Sequence, residues 1–145
     1  MSHQHSHHSR GRHGSSGSST VDVQFYRDSQ KEKLNPELLD ADAEKQADSL
    51  RKNINSAQIR RFYGEIKDLS RRRDQGRTWD ELEPFLRMVK SKARYAEGTN
   101  KIPREFSQFI TSNIDKVKDE RDFEAFVLYF EAVLGFAYGK GLVRK

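Results

Sequence analysis

The chain contains no cysteine, which excludes a disulfide framework and any thiolate metal site and suits a reducing cytosol. Histidine does not occur after His13. Ser-His-Asp triads, zinc sites built on His or Cys and a histidine general base are therefore excluded from the rest of the chain. No apolar run approaches the roughly 18 residues that span a bilayer, and the first residues lack the hydrophobic stretch of a secretory signal. The expectation is a soluble, cytoplasmic protein with no membrane partner. Neither G-x-x-x-x-G-K-[ST] nor G-x-G-x-x-G occurs, so nucleotide-dependent catalysis has no support. Asp40, Asp42 and Glu44 follow a D-x-D-x-E spacing, but the EF-hand glycine is missing and only Asp40 and Glu44 would share a helix face. They read as solvated charge. No cofactor, no metal and no catalytic residue is expected.

What remains is sparse in apolar residues and rich in charge. Hydrophobic and charged residues each make up 34% of the 145, so few apolar side chains are available and their placement decides the fold. The length suits one ordinary domain. Residues 1–20 hold little except His, Ser, Gly and Arg and are expected to be a disordered tail. All five histidines lie there, at 3, 5, 7, 8 and 13. With its Ser/Gly spacer the tract looks like an expression tag, a native tail, inert or weakly metal-binding, being the alternative. Residues 21–34 read as a linker or extension, and residues 35–145 as a single helical-bundle domain.

From Asn35 onward the apolar spacing is helical. Asn35 as N-cap, Pro36 at the first position and Glu37 against the dipole open a helix expected to reach about Asn53, with a stripe of Leu39, Ala43, Ala47, Leu50 and Ile54. A second helix starts with Ser56 as N-cap and runs to about Asp74 on Ile59, Phe62, Tyr63, Ile66 and Leu69. Thr78 and Glu81 have capping-box spacing for a third, ending at Gly98, although Pro84 favours a regular helix that begins only there. Pro103 opens a fourth, carrying Phe106, Phe109, Ile110, Ile114 and Val117. A fifth follows Asp119; its run from Phe123 to Tyr138 is the most apolar of the chain, which places it centrally, with Gly135 as a point of close packing. Strand alternation and hairpin signals are absent. The predicted fold is all-α, a compact bundle of about five helices behind a disordered N-terminal tail.

The net charge of +5 is unevenly spread. Residues 21–50 carry 4 bases against 8 acids, whereas residues 51–104 carry 15 bases against 7 acids, a net +8. At about 100° per residue, Arg60, Lys67 and Arg71 fall within roughly 40° of one another on the second helix, and Arg87, Lys90 and Arg94 do likewise on the third. Arg61 and Arg72 form another cluster on the second helix. Each stripe is about 10–16 Å long, comparable with a few successive phosphates. Arginines also favour helix C-termini, so Arg71, Arg72 and Arg73 fit caps as well. The block as a whole points to a polyanion. With no RNP aromatic pair, KH loop or helix-turn-helix signature, contacts are expected to fall on phosphate and sugar without sequence specificity. Tyr63, Trp79 and Tyr95 are candidate stacking platforms, although Tyr63 lies on the apolar face and Trp79 suits a core or capping role.

Three stretches together resemble the small subunit of the type III-A CRISPR effector complex, the Csm complex: NSAQIRRFYGEIK (55–67), LRMVKSKARYAEG (86–98) and the aromatic-rich DFEAFVLYFEAVLGFAYGKG (122–141). The resemblance covers roughly residues 34–142. It implies a small helical protein without enzyme activity, present in several copies beside the backbone and large subunits. It further implies that the subunit lines and stabilises the duplex of CRISPR RNA and target RNA in antiviral defence. On matching positions it places Arg60 and Arg61, and more loosely Lys90, Lys92 and Arg94, at the RNA; Lys67, Arg71 and Arg87 are added by helix geometry alone. Two rivals stand beside this reading. One is a basic helical adaptor for an acidic protein partner; the other is a magnesium nuclease centred on Asp40 and Asp42.

Overall fold

Local capping chemistry sets several of the helix starts and stops. The structure, a computed structural model, describes residues 20–50 and 54–144. The expected tail up to residue 19 lies outside the described residues. Five helices follow in order: α1 (Ala41–Ser49), α2 (Ser56–Asp74), α3 (Trp79–Gly98), α4 (Arg104–Lys116) and α5 (Glu120–Gly139). The all-α expectation holds, with three corrections at helix starts.

The first predicted helix is broken in two. Asn35 accepts a hydrogen bond from the Glu37 amide as an N-cap should, but the turn it caps is a short 3-10 helix, Pro36–Leu39. Asp40 then leaves helical space at φ −127°, ψ −102° before α1 begins. The break turns Leu38 inward, fully buried as Ala43 and Ala47 are, where a continuous helix would have buried Leu39 instead. Residues 51–53, the expected end of this helix, lie outside the described residues. Second, Asn55 rather than Ser56 caps α2: its Oδ1 accepts from the Ala57 amide at 2.8 Å and the Gln58 amide at 3.2 Å. Third, Pro84 sits inside α3, not at its start. The capping box is complete, Thr78 N donating to Glu81 Oε1 at 3.0 Å and Glu81 N to Thr78 Oγ1 at 3.3 Å. It starts the helix ahead of the proline, which gives up the bond to the Asp80 carbonyl.

Helices α2, α3 and α5 end alike, in a paired return of two amides to the last turn. Arg77 N and Gly76 N reach the carbonyls of Arg72 and Arg73; Lys101 N and Asn100 N reach those of Ala96 and Glu97; Leu142 N and Gly141 N reach those of Ala137 and Tyr138. The pivot of this motif needs a left-handed backbone, found at Gly76 (φ 102°), Asn100 (φ 61°) and Gly141 (φ 72°). After α5, β2 (Val143–Arg144) pairs in parallel with β1 (Ile54–Asn55), a two-residue ladder that ties the end of the chain to the start of α2.

The core is aromatic. Phe109 of α4 lies edge-on to Phe130 of α5 at 5.1 Å between ring centroids and also meets Phe106, Phe126 and Tyr129. Helix α5 packs against α1, α2 and α4, the central position expected of it. Gly135 does not mark close packing: it is exposed, and a Cβ there would meet nothing within 4 Å.

Residues 21–34, the linker or extension of the sequence reading, form a small hairpin laid on the junction of α4 and α5. Tyr26 and Leu34 pair as an isolated antiparallel bridge, Asp28 Oδ1 accepts the Lys33 amide at 2.8 Å, and Val23 and Phe25 are buried. Lys116 Nζ reaches the Val23 carbonyl at 2.7 Å. Lys31 Nζ reaches Asp119 at 2.6 Å and Asp122 at 3.0 Å. Among the described residues no helix is long and apolar enough to cross a membrane.

Candidate nucleic-acid interface

Four helices close a ring in the order α5, α2, α3, α4, and this order decides which cations share a surface. Tyr63 of α2 donates to Glu131 of α5 and rests edge-on against Phe130, 5.3 Å between centroids. Burial and then the neighbouring Glu131 carboxylate push its phenol up to about 12. Arg73, at the end of α2, binds Glu120 and Glu124 of α5. On its other flank α2 meets α3, where Lys92 Nζ lies 2.9 Å from Glu65. Helix α3 in turn meets α4 through Lys90, which pairs with Asp115, and through Arg87.

The two basic stripes therefore point apart. At about 100° per residue, Arg60 and Lys67 lie within roughly 60° of Tyr63, on the α5 flank of α2. Arg71 lies just beyond them and is paired with Asp68. Arg87, Lys90 and Arg94 lie on the α4 flank of α3. Periodicity ranks residues around one axis and carries no information on how two helices are rotated against each other, so this divergence was not legible in the sequence.

The individual residues differ as much as their positions. Arg60, Arg61, Lys67 and Arg94 are exposed, and none makes a salt bridge among the described residues. Arg87 is committed internally: its guanidinium donates to the carbonyls of Ile114 at 2.8 Å and Val117 at 2.7 Å, at the C-terminal end of α4, and to Glu83 at 2.7 Å. Lys90, Lys92 and Arg71 each hold a carboxylate yet remain more than a third exposed.

One arrangement that the stripes did not anticipate lies between α2 and α3. Arg61, Lys92, Tyr95 and Lys101 line a groove of about 180 Å³. Lys101 belongs to the return after α3 and falls in no helical periodicity, which is why helix geometry passed over it. Further along the same helix pair, Phe85 and Met88 border a second groove with Leu69 and Arg72. Trp79 packs on Phe123 at 5.5 Å, as expected of a structural aromatic. The carboxylates suggested for a magnesium nuclease do not converge: Glu44 pairs with Lys140, and no group of three or more His, Cys, Asp or Glu among the described residues is placed to hold a metal ion.

A family model described as Csm2 Type III-A matches residues 33–141, a span that takes in all five helices and both flanks of α2 and α3 but leaves most of the hairpin outside it. No curated protein and no solved structure matches. The match covers well over half of the chain: the chain belongs to the Csm2 Type III-A family, the small subunit of the type III-A CRISPR effector complex.

Proposed function

We propose that this small subunit binds RNA without catalysing its cleavage, holding the duplex of CRISPR RNA and target RNA through sequence-independent phosphate contacts. The observation that carries the reading is the set of exposed cations on α2 and α3 that form no salt bridge among the described residues, Arg60, Arg61, Lys67 and Arg94, within a segment of net +8. Lys90, Lys92 and Arg71 join them by exchanging a surface carboxylate for a phosphate, a small cost because exposed ion pairs are worth about 0–1 kcal/mol. Arg87 stands at the same surface while bracing α4. Since the stripes face different flanks, the subunit touches RNA along a curved path around α2 and α3, not on one flat face. The work is done in the cytoplasm, as part of the complex.

The test is RNA binding by wild type and by the combined Arg60→Glu, Arg61→Glu, Lys67→Glu, Arg94→Glu variant. None of the four makes a salt bridge among the described residues, so the fold should be retained, with unchanged helicity by circular dichroism. Loss of at least a hundredfold in affinity is expected; equal binding by the two proteins refutes the reading.

A protein contact is favoured at a separate place. Phe85 is 52% exposed and Met88 48%, one helical turn apart at the mouth of the second groove, where an apolar surface suits a neighbouring subunit, whether the backbone subunit, the large subunit or another copy of this chain. This reading is of an apolar contact, distinct from the basic adaptor for an acidic partner. It predicts that Phe85→Ser with Met88→Ser weakens assembly and leaves RNA affinity unchanged.

A further inference from the structure

The geometry points to the groove between α2 and α3 as a subsite for one unpaired RNA nucleotide, its base against the ring of Tyr95 and its phosphate held by Arg61 and Lys101. The inference rests on the RNA-binding reading above and goes beyond it, since that reading requires phosphate contacts only.

Three independent features meet in this groove. The first is the ring. Tyr95 is 71% exposed, with no ring partner among the described residues, whereas Phe62, Tyr63, Trp79, Phe106 and Phe109 each pack on another ring. An aromatic held open to water on a rigid helix loses apolar burial for which the fold gains nothing, and it offers the flat π-face on which any base can stack. The second is shape. Buried Phe62 and Ala96 contribute the apolar floor. The volume of about 180 Å³ is of the order of the roughly 150 Å³ cavity that accommodates a benzene ring, room for one base. The third is charge. Arg61, Lys92 and Lys101 surround the ring, and among the described residues only Lys92 is in a salt bridge, with Glu65; three cations against one carboxylate leave an excess suited to a phosphate.

Lys101 is placed deliberately rather than by chance of a loose loop. Asn100 takes a left-handed backbone, φ 61°, and the amides of Asn100 and Lys101 return to the carbonyls of Glu97 at 3.0 Å and Ala96 at 2.8 Å. This closure of α3 fixes the Lys101 backbone against the Ala96 carbonyl, next to Tyr95 in sequence. The nucleotide must be unpaired, because the bases of a continuous A-form duplex already stack on one another and present no free face to a protein side chain.

The experiment uses the full chain and short single-stranded RNAs of one length carrying 2-aminopurine or an abasic site at a central position. The N-terminal tail is common to every variant and cancels in the comparison. Wild type should quench 2-aminopurine fluorescence and bind the abasic strand roughly 5- to 150-fold more weakly than the intact one, the range for a base stacked on an aromatic side chain. Tyr95→Ala should lose the quenching and weaken binding of the intact strand by the same factor, with no effect on the abasic strand. Tyr95→Phe, which keeps the ring, should bind within about threefold of wild type. The proposal is overturned if Tyr95→Ala binds and quenches like wild type, or if the abasic and intact strands bind equally. In either case salt-dependent RNA binding survives and only the subsite fails. Absence of binding to any strand, even at low salt, overturns the phosphate reading and the subsite together.

Discussion

Arg87 lies in the basic block, yet its bonds make it a strut, and the two roles are separable. Its guanidinium carries two charged hydrogen bonds to carbonyls at the end of α4 and one ion pair to Glu83 within α3. A bond to a charged group contributes about 1.5–3 kcal/mol net when buried. The side chain is 35% exposed, so solvent screens the interaction and rehydrates the carbonyls when the side chain is removed. Glu83 adds only about 0.3–0.5 kcal/mol as an exposed i,i+4 pair. The sum for Arg87→Met is about 2 kcal/mol. An unfolding entropy near 2.1 cal/mol/K per residue over about 120 ordered residues turns this into a Tm lower by roughly 8 °C. Arg87→Lys keeps the charge but replaces a planar fork by a point donor that reaches one carbonyl, so about half the loss, roughly 4 °C, is expected. Thermal unfolding followed by circular dichroism, beside RNA affinity at fixed salt, reads both roles. A Tm for Arg87→Met within about 1 °C of wild type, together with a tenfold loss of RNA affinity, would refute the strut.

Three further outcomes are expected. The Tyr129 hydroxyl is buried without a hydrogen-bond partner among the described residues, and burial holds its phenol well above the ordinary range; Tyr129→Phe should be neutral or stabilising by up to about 1–2 kcal/mol in denaturant titration, and a loss beyond 1 kcal/mol contradicts the assignment. Acid should release the hairpin. Asp22 is held low by its hydrogen bond from Lys116, and Asp28 by the Lys33 amide. For Asp119, burial pushes upward but the hydrogen bond from Lys31 and the amides of Asp122 and Arg121 outweigh it. Groups with lowered folded-state values stabilise above the unfolded value near 4 and lose that contribution as pH falls through the folded value. Hydrogen exchange, corrected for intrinsic rate, should show residues 21–34 losing protection at pH 3 before α5 does; equal protection at pH 3 and 6 contradicts this. Pro84→Ala should restore the bond to Asp80 and raise stability by about 1 kcal/mol, less than the roughly 3 kcal/mol cost of an interior proline because the variant also frees the unfolded chain; a lower Tm refutes that account.

The helices were legible because their information is local. Ile59, Phe62, Ile66 and Leu69 repeat at helical spacing and are all buried, and the Thr78–Glu81 box is a pattern of four residues. The hairpin was not legible, because what holds it is remote: Lys31 meets Asp119 across 88 positions, and no window of sequence contains both. Asp40 breaks the first helix for the sake of Leu38, a choice made by the core and not by helix propensity. The site was legible in composition and not in arrangement. The charge block and the two stripes follow from counting and from one helical axis each. The groove around Tyr95 needs the relative rotation of α2 and α3 and the return that carries Lys101, which only the folded chain supplies.

The central claim is that the cations of α2 and α3 meet phosphate. It is tested most directly by the salt dependence of binding between the full chain and a duplex of guide and target RNA. Each neutralised phosphate contributes roughly 0.7–0.9 to the log–log slope. Wild type should therefore give a slope of about −4 or steeper, and the four-fold charge reversal at Arg60, Arg61, Lys67 and Arg94 should flatten it by about 3. A slope near zero, or the same slope in both proteins, contradicts the account.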